Sequence, residues 1–206
     1  MKNINAIIFD LGAVILNINY QKTIDEFEKL GVKNTTSFYS KKTQNKLFNQ
    51  IETGKISTAK FLLSLQKKTH NASVKKIEAA WNAMLLDLPK NRIDLLKELT
   101  HNYSIFLLSN TNAIHISKLK KKLGNKQYHQ FYNLFNKVYY SHKIRFRKPN
   151  AKAFQLILDE NHLNPSEVLF IDDSPQHIEG AKKLNIKTYH LSNNEEVTTL
   201  FPDIVL

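Results

Sequence analysis

Ile7-Ile8-Phe9-Asp10-Leu11-Gly12-Ala13-Val14-Ile15-Leu16 decides how the rest of the chain is read. An apolar run leads to a single carboxylate, and a glycine follows two positions later. A short apolar run of this kind predicts a strand buried on both faces, with Asp10 at its C-terminal end where polarity begins. In open α/β sheets that edge is where ligands bind. Gly12 predicts a sharp turn of positive φ that brings backbone close to whatever Asp10 faces. The plain alternative is an aspartate that ends a strand and caps the next turn.

Three later stretches bear on that choice. Ser104-Ile105-Phe106-Leu107-Leu108-Ser109-Asn110 predicts a second apolar strand, ending in a hydroxyl and an amide. Arg147-Lys148-Pro149 supplies a cation just ahead of a helical pattern. Val168-Leu169-Phe170-Ile171-Asp172-Asp173 predicts a third strand, ending in two adjacent carboxylates. Taken singly, Ser109-Asn110 reads as a loop start, Lys148 as a surface lysine and Asp172-Asp173 as a capping pair before Ser174-Pro175.

Taken in order, the Asp, Ser, Lys and Asp-Asp motifs resemble those of the haloacid dehalogenase-like hydrolases, from Ile4 to about Tyr189. The resemblance implies an α/β fold: a Rossmann-like, doubly wound parallel sheet with an inserted helical cap. It implies Asp10, Ser109 and Lys148 as catalytic residues, with Ser109, Asn110 and Lys148 holding the phosphoryl group. It also implies a Mg²⁺ site made by Asp10, Asp172, Asp173 and the backbone carbonyl of Gly12. Mg²⁺ is a hard ion that takes oxygen ligands, often one or two carboxylates with waters and phosphate oxygens.

The Asp-Leu-Gly-x-Val form is similar to a subgroup that includes sugar-phosphate phosphatases such as bacterial glucose-1-phosphate phosphatase. Many family phosphatases carry a second Asp, a general acid/base, where Gly12 stands. Its replacement leaves the proton donor for the leaving group open among His142, His177, Asn17 and a bound water.

Composition sets the outer limits. The chain has 206 residues, 42% hydrophobic and 23% charged, which suits one full core with room for a smaller appended domain. It has no cysteine, so disulfides and thiolate metal sites are excluded. A formal charge of +12 and a pI near 9.7 are the balance of a nucleic-acid binder. Yet the lysines are spread along the whole sequence, densest at Lys118, Lys120, Lys121 and Lys122, and no nucleic-acid motif accompanies them. A solvated basic surface is the reading, with no nucleic-acid partner. No signal-peptide pattern and no membrane-length apolar run is present, so a cytoplasmic protein with no membrane partner is expected. Oligomeric state is not legible.

The segment from Gln21 to Leu86 reads as almost wholly helical. Ile24, Phe27 and Leu30 lead to a stop at Gly31, and Leu47, Phe48 and Ile51 to a stop at Gly54. Ser57 and Ser73 are N-cap signals for two further helices, the second holding Ile77, Trp81 and Leu85. Trp81 reads as core through its helical spacing. Leu16 to Tyr20 reads as a short hairpin or flap. The expected domains are a core of residues 1–16 and 89–206 and a helical cap of residues 17–88. Beyond the cap, Pro89 opens a helix, a second runs from Asn112 to Leu123, and Val138–Ser141 and Lys187–Leu191 read as strands.

The expected activity is Mg²⁺-dependent hydrolysis of a small phosphorylated metabolite, such as a sugar phosphate, through an aspartyl phosphate. The alternatives are a metal-free 2-haloacid dehalogenase, against which the second carboxylate argues, and a non-catalytic binding protein on the same scaffold.

Overall fold

The computed structural model describes residues 3–33, 35, 46–192 and 194–202. Residues 34 and 36–45 of the predicted helical segment lie outside that range. Five strands form one sheet: β1 (Ala6–Phe9), β2 (Ser104–Ser109), β3 (Lys137–Tyr140), β4 (Val168–Asp172) and β5 (Lys187–His190). All pairs are parallel and the order is β3-β2-β1-β4-β5. The apolar opening stretch therefore lies at the centre, and β1 is buried along its whole length.

Two apolar layers cover the sheet, as an α/β architecture with alternating side-chain directions requires. On one face Ile7, Phe9, Ile105, Leu107 and Ile171 pack with the helices α5 (Lys90–Leu99) and α6 (Ala113–Tyr132). On the other, Ile8, Phe106, Leu108 and Phe170 pack with α8 (Ala151–Glu160) and α9 (Pro175–Lys182). The sheet is thus a Rossmann-like, doubly wound core. From β1 the chain moves to one side for β2 and β3, then crosses to the other for β4 and β5. The crevice of such a switch point opens at the C-terminal ends of β1, β2 and β4.

Between β1 and α5 come α1 (Tyr20–Lys29), α2 (Lys46–Glu52), α3 (Thr58–Gln66) and α4 (Val74–Asn82). Ser57 and Ser73 do cap α3 and α4, accepting from the N–H groups of Lys60 (3.2 Å) and Lys76 (3.3 Å). Apolar faces from all four helices share a core of their own, to which α6 contributes Ile114. Trp81 is its centre: it is 1% exposed and stacks on Phe48 (5.3 Å) and on His115 of α6 (4.9 Å).

Four local expectations differ from what is found. Leu16–Tyr20 forms no local hairpin; residues 17–19 pair with 84–87, through Leu86 N–H to Asn17 O and Asn17 N–H to Asp87 O, both 2.9 Å. Leu85 consequently leaves α4 for this two-stranded junction. The helix that opens at Asn112 continues beyond Leu123 to Tyr132, with one break at Gly124 (φ 76°), because Tyr128 and Phe131 still have apolar surface to bury. Ser141 starts a short helix, α7 (Ser141–Ile144), instead of ending β3.

The turn after Asp10 also differs. The left-handed residue is Ala13 (φ 63°), not Gly12. A Cβ at position 12 would lie 3.0 Å from Ile18 Cδ1, the tip of a side chain.

Candidate functional site

Parallel pairing brings the site together. Phe9 is in register with Leu107 and Ile171, so Asp10 stands level with Leu108 and Asp172, one step before Ser109 and Asp173. The loop ahead of α8 carries Lys148 under these three strand ends. Its side chain is fully buried, and Nζ donates to Asp10 Oδ1 (2.7 Å), Asp172 Oδ2 (2.6 Å) and the carbonyl of Leu108 (2.8 Å). All three ammonium protons thus have acceptors. Burial alone would depress the Lys148 pKa, but Asp10 and Asp172 outweigh it and hold it above the usual lysine value.

The two carboxylates respond in opposite directions. Burial raises the Asp10 carboxyl despite Lys148, with the charges of Asp172 and Asp173 adding to the effect. Burial pushes Asp172 up as well, yet Lys148 and His177 hold it below the carboxylate range. Its Oδ1 also accepts from Ser174 N–H (2.8 Å) and lies 2.9 Å from His177 Nδ1. Asp173, half-buried, turns toward the cavity with Asp10, Gly12 and Ser109.

Asn110 lines the same cavity, but its amide is tied to the backbone of Lys148. It donates to the Lys148 carbonyl and accepts from the Lys148 N–H, both at 2.9 Å. Of the three side chains considered as proton donors, His177 lines the cavity with Nδ1 against Asp172 and Nε2 3.3 Å from the Asn110 amide. His142 turns Nδ1 to the carbonyl of Thr111 (3.2 Å), and Asn17 is bonded to Asp87 (3.2 Å). Neither His142 nor Asn17 lines the cavity, and both ring nitrogens of His177 are engaged.

The residue types fit Mg²⁺. Asp10, Asp172 and Asp173 each present a carboxylate oxygen, and the three lie within 4.8 Å of one another. Ligands of one octahedral ion at about 2.1 Å stand roughly 3–4.2 Å apart, so the cluster is close to that scale. The donors are hard oxygens, and three carboxylates face a single ammonium. That excess of negative charge is what a divalent cation offsets.

The wall opposite carries no sequence motif. Tyr20 of α1, Phe48 and Glu52 of α2, and Arg147 line it. Arg147 Nη2 lies 2.9 Å from Glu52 Oε2, joining the inserted helices to the core. Burial raises the Glu52 carboxyl against the opposing charge of Arg147. Burial, together with the charges of Asp173, Asp10 and Glu52, keeps the Tyr20 phenol protonated. A glutamate at a helix end looks solvated in a sequence, and no periodicity marked it. The arginine beside Lys148 was the only available signal.

Residues 7–191 match the family model for haloacid dehalogenase-like hydrolase. The chain belongs to that family. A D-ribitol-5-phosphate phosphatase of Bacteroides thetaiotaomicron is 27% identical over 194 residues, covering 94% of each chain. A haloacid dehalogenase family enzyme from the same organism, solved with magnesium and inorganic phosphate, is 33% identical. It covers 96% of this chain and 99% of that one, with a TM-score of 0.85. A predicted hydrolase of the family from Porphyromonas gingivalis is 27% identical, covering 98% of this chain and 97% of that one, with a TM-score of 0.86. Among the described residues of this hydrolase, no helix is long and apolar enough to cross a membrane.

Proposed function

We propose that this hydrolase cleaves the phosphomonoester of a small sugar alcohol, with Asp10 as nucleophile. At the coarser level it is a Mg²⁺-dependent phosphatase of a small phosphorylated metabolite. Similarity to the ribitol-phosphate enzyme over 94% of the chain supports the polyol. The observation that carries the mechanism is the triply bonded Lys148. It holds Asp10 by Oδ1, while Oδ2 accepts no hydrogen bond from a described residue.

In this reading Oδ2 of Asp10 attacks phosphorus, the bond to the alkoxyl oxygen breaks, and an aspartyl phosphate forms. Ser109 and neighbouring N–H groups hold the phosphoryl oxygens, and Lys148 offsets charge on Asp10. Asn110 fixes the Lys148 backbone, and Asp172 with His177 fixes its side chain. The leaving alkoxide takes its proton from water, since Gly12, His142 and His177 supply none. Water then attacks the phosphorus, the Asp10–phosphorus bond breaks, and inorganic phosphate leaves. Bound by Asp10, Asp172, Asp173 and the Gly12 carbonyl, Mg²⁺ would neutralise charge on the phosphoryl oxygens. Residues 17–88 act as the cap that closes over the leaving group.

The test is phosphate release from a panel of sugar, polyol and glyceryl phosphates, with Mg²⁺ and with EDTA. Asp10→Asn is nearly isosteric, so it should fold while turnover falls below a few per cent. More activity than that in clean protein rules out the covalent route. Halide release from haloacids in EDTA would favour the dehalogenase.

A further inference from the structure

We infer that the Glu52–Arg147 pair reads a hydroxyl of the leaving group and turns away substrates carrying a second negative charge, a specificity that rests on the phosphatase reading above. The two side chains are 18% and 12% exposed, line the cavity that holds Asp10 and Ser109, and meet at 2.9 Å. Arg147 Nε is buried with no hydrogen-bond partner. Nε lies beneath the surface, so what the pair presents to the cavity is the Glu52 carboxylate, which only accepts. A hydroxyl fits that carboxylate, because it has a proton to donate where a second anion has none.

Charge excludes the obvious competitors. Among the described residues, Arg147 is the one lysine or arginine lining the cavity, and it is already paired. The acids there are Asp10, Glu52 and Asp173. A carboxylate or second phosphate on the substrate would meet Glu52, and among the described residues no unpaired lysine or arginine lines the cavity to receive it. Discrimination of this kind needs a repulsive contact as well as an attractive one.

The wall is also held in place. Arg145 Nη1 donates to the carbonyl of Gly54 (3.3 Å). A Cβ at Gly54 would lie 2.4 Å from the His142 carbonyl oxygen, so the end of α2 sits directly on core backbone. A fixed wall gives a reader its selectivity, since a mobile one would fold back from the wrong substrate.

A matched pair of substrates tests this. Ribitol 5-phosphate and ribonate 5-phosphate have the same length, and the second ends in a carboxylate. For each, kcat/KM is measured at pH 8 with Mg²⁺ and divided by that for p-nitrophenyl phosphate, which cancels loss of folded protein. The wild type should prefer the polyol by ~10-fold or more, the scale of one like-charge contact. Glu52→Gln should move the two substrates in opposite directions, lowering the polyol and raising the acid. A purely structural clamp between α2 and the core would move both together, and that result overturns the inference.

If Glu52→Gln does not fold, the wild type alone decides. Free ribitol should compete with p-nitrophenyl phosphate at a concentration ~10-fold below ribonate, and equal inhibition overturns the inference. A wild type that releases no phosphate from any of the three esters sinks the phosphatase reading itself. Active wild type with equal preference sinks only the role of Glu52 and Arg147.

Discussion

Lys148 and Arg147 are neighbours in sequence and face opposite circumstances. Lys148 lies fully buried at the strand ends with three acceptors within 2.8 Å. Arg147 reaches the far wall, holds one carboxylate of an inserted helix, and keeps a buried Nε without a partner. A side chain whose every proton is bonded has one arrangement available and positions what touches it. One that meets a carboxylate at the cavity wall leaves that carboxylate able to accept a further bond. The sheet side of the cavity is thus built for a fixed reaction and the helical side for a choice of substrate.

Removing the cation from the sheet side should have the largest effect. Lys148→Met leaves Asp10 and Asp172 buried and facing each other without their ammonium, which costs about 3–5 kcal/mol. Urea unfolding should show that loss, and phosphate release should vanish even where folded protein remains. Wild-type stability in Lys148→Met would mean that the cluster is far more hydrated than its burial indicates.

The seam between the two sides should break with acid. His115 of α6 stacks on Trp81 of α4, bonds Asn82 Oδ1 through Nδ1 (3.1 Å), and is driven by burial down to about 3. An unfolded histidine takes a proton below about 6.5, whereas this one stays neutral until about pH 3. Its contribution is therefore fully present above pH 6.5 and lost as pH falls toward 3, by up to about 1.4 kcal/mol per pH unit. His115→Gln, which keeps an amide for Asn82, should flatten Tm against pH between 6.5 and 4 relative to wild type. Parallel curves would show that the ring is already charged or hydrated in the native state.

A smaller effect is expected where the two sides meet at Gly12. Because the left-handed residue is Ala13, Gly12→Asp meets only the tip of Ile18 and no backbone strain. The new carboxyl would stand near the leaving group, where a positioned acid is worth ~10²–10⁴-fold for alkyl leaving groups. Displacing Ile18 will take part of that gain. The kcat/KM of ribitol 5-phosphate should rise relative to p-nitrophenyl phosphate, whose leaving group needs no proton. An unchanged ratio in a folded, Mg²⁺-binding variant would mean that a proton source already exists.

The sheet-side site was legible because each member is tied to a strand end. Apolar runs stopping at Asp10, Ser109 and Asp172-Asp173 mark the same edge of one parallel sheet, and their order along the chain is enough to bring them together. Lys148 was legible as a motif member, although nothing local distinguishes it from a surface lysine. Only the packing of its loop beneath β1, β2 and β4 leaves it with no exposed surface. The use of Asn110 to hold the Lys148 backbone likewise depends on a contact across 38 positions.

Periodicity and capping residues alone determined the helices described in the inserted segment, because both act within a few residues. Where those helices rest against the sheet was decided by tertiary contacts: Trp81 on His115, Gly54 on His142, Glu52 on Arg147, and residues 17–19 on 84–87. Each joins groups far apart in sequence, and none leaves a local pattern. The chemistry follows from strand ends and could be read in order along the chain. The shape of the substrate's chamber follows from how two separately buried cores meet, and that is fixed only when both have folded.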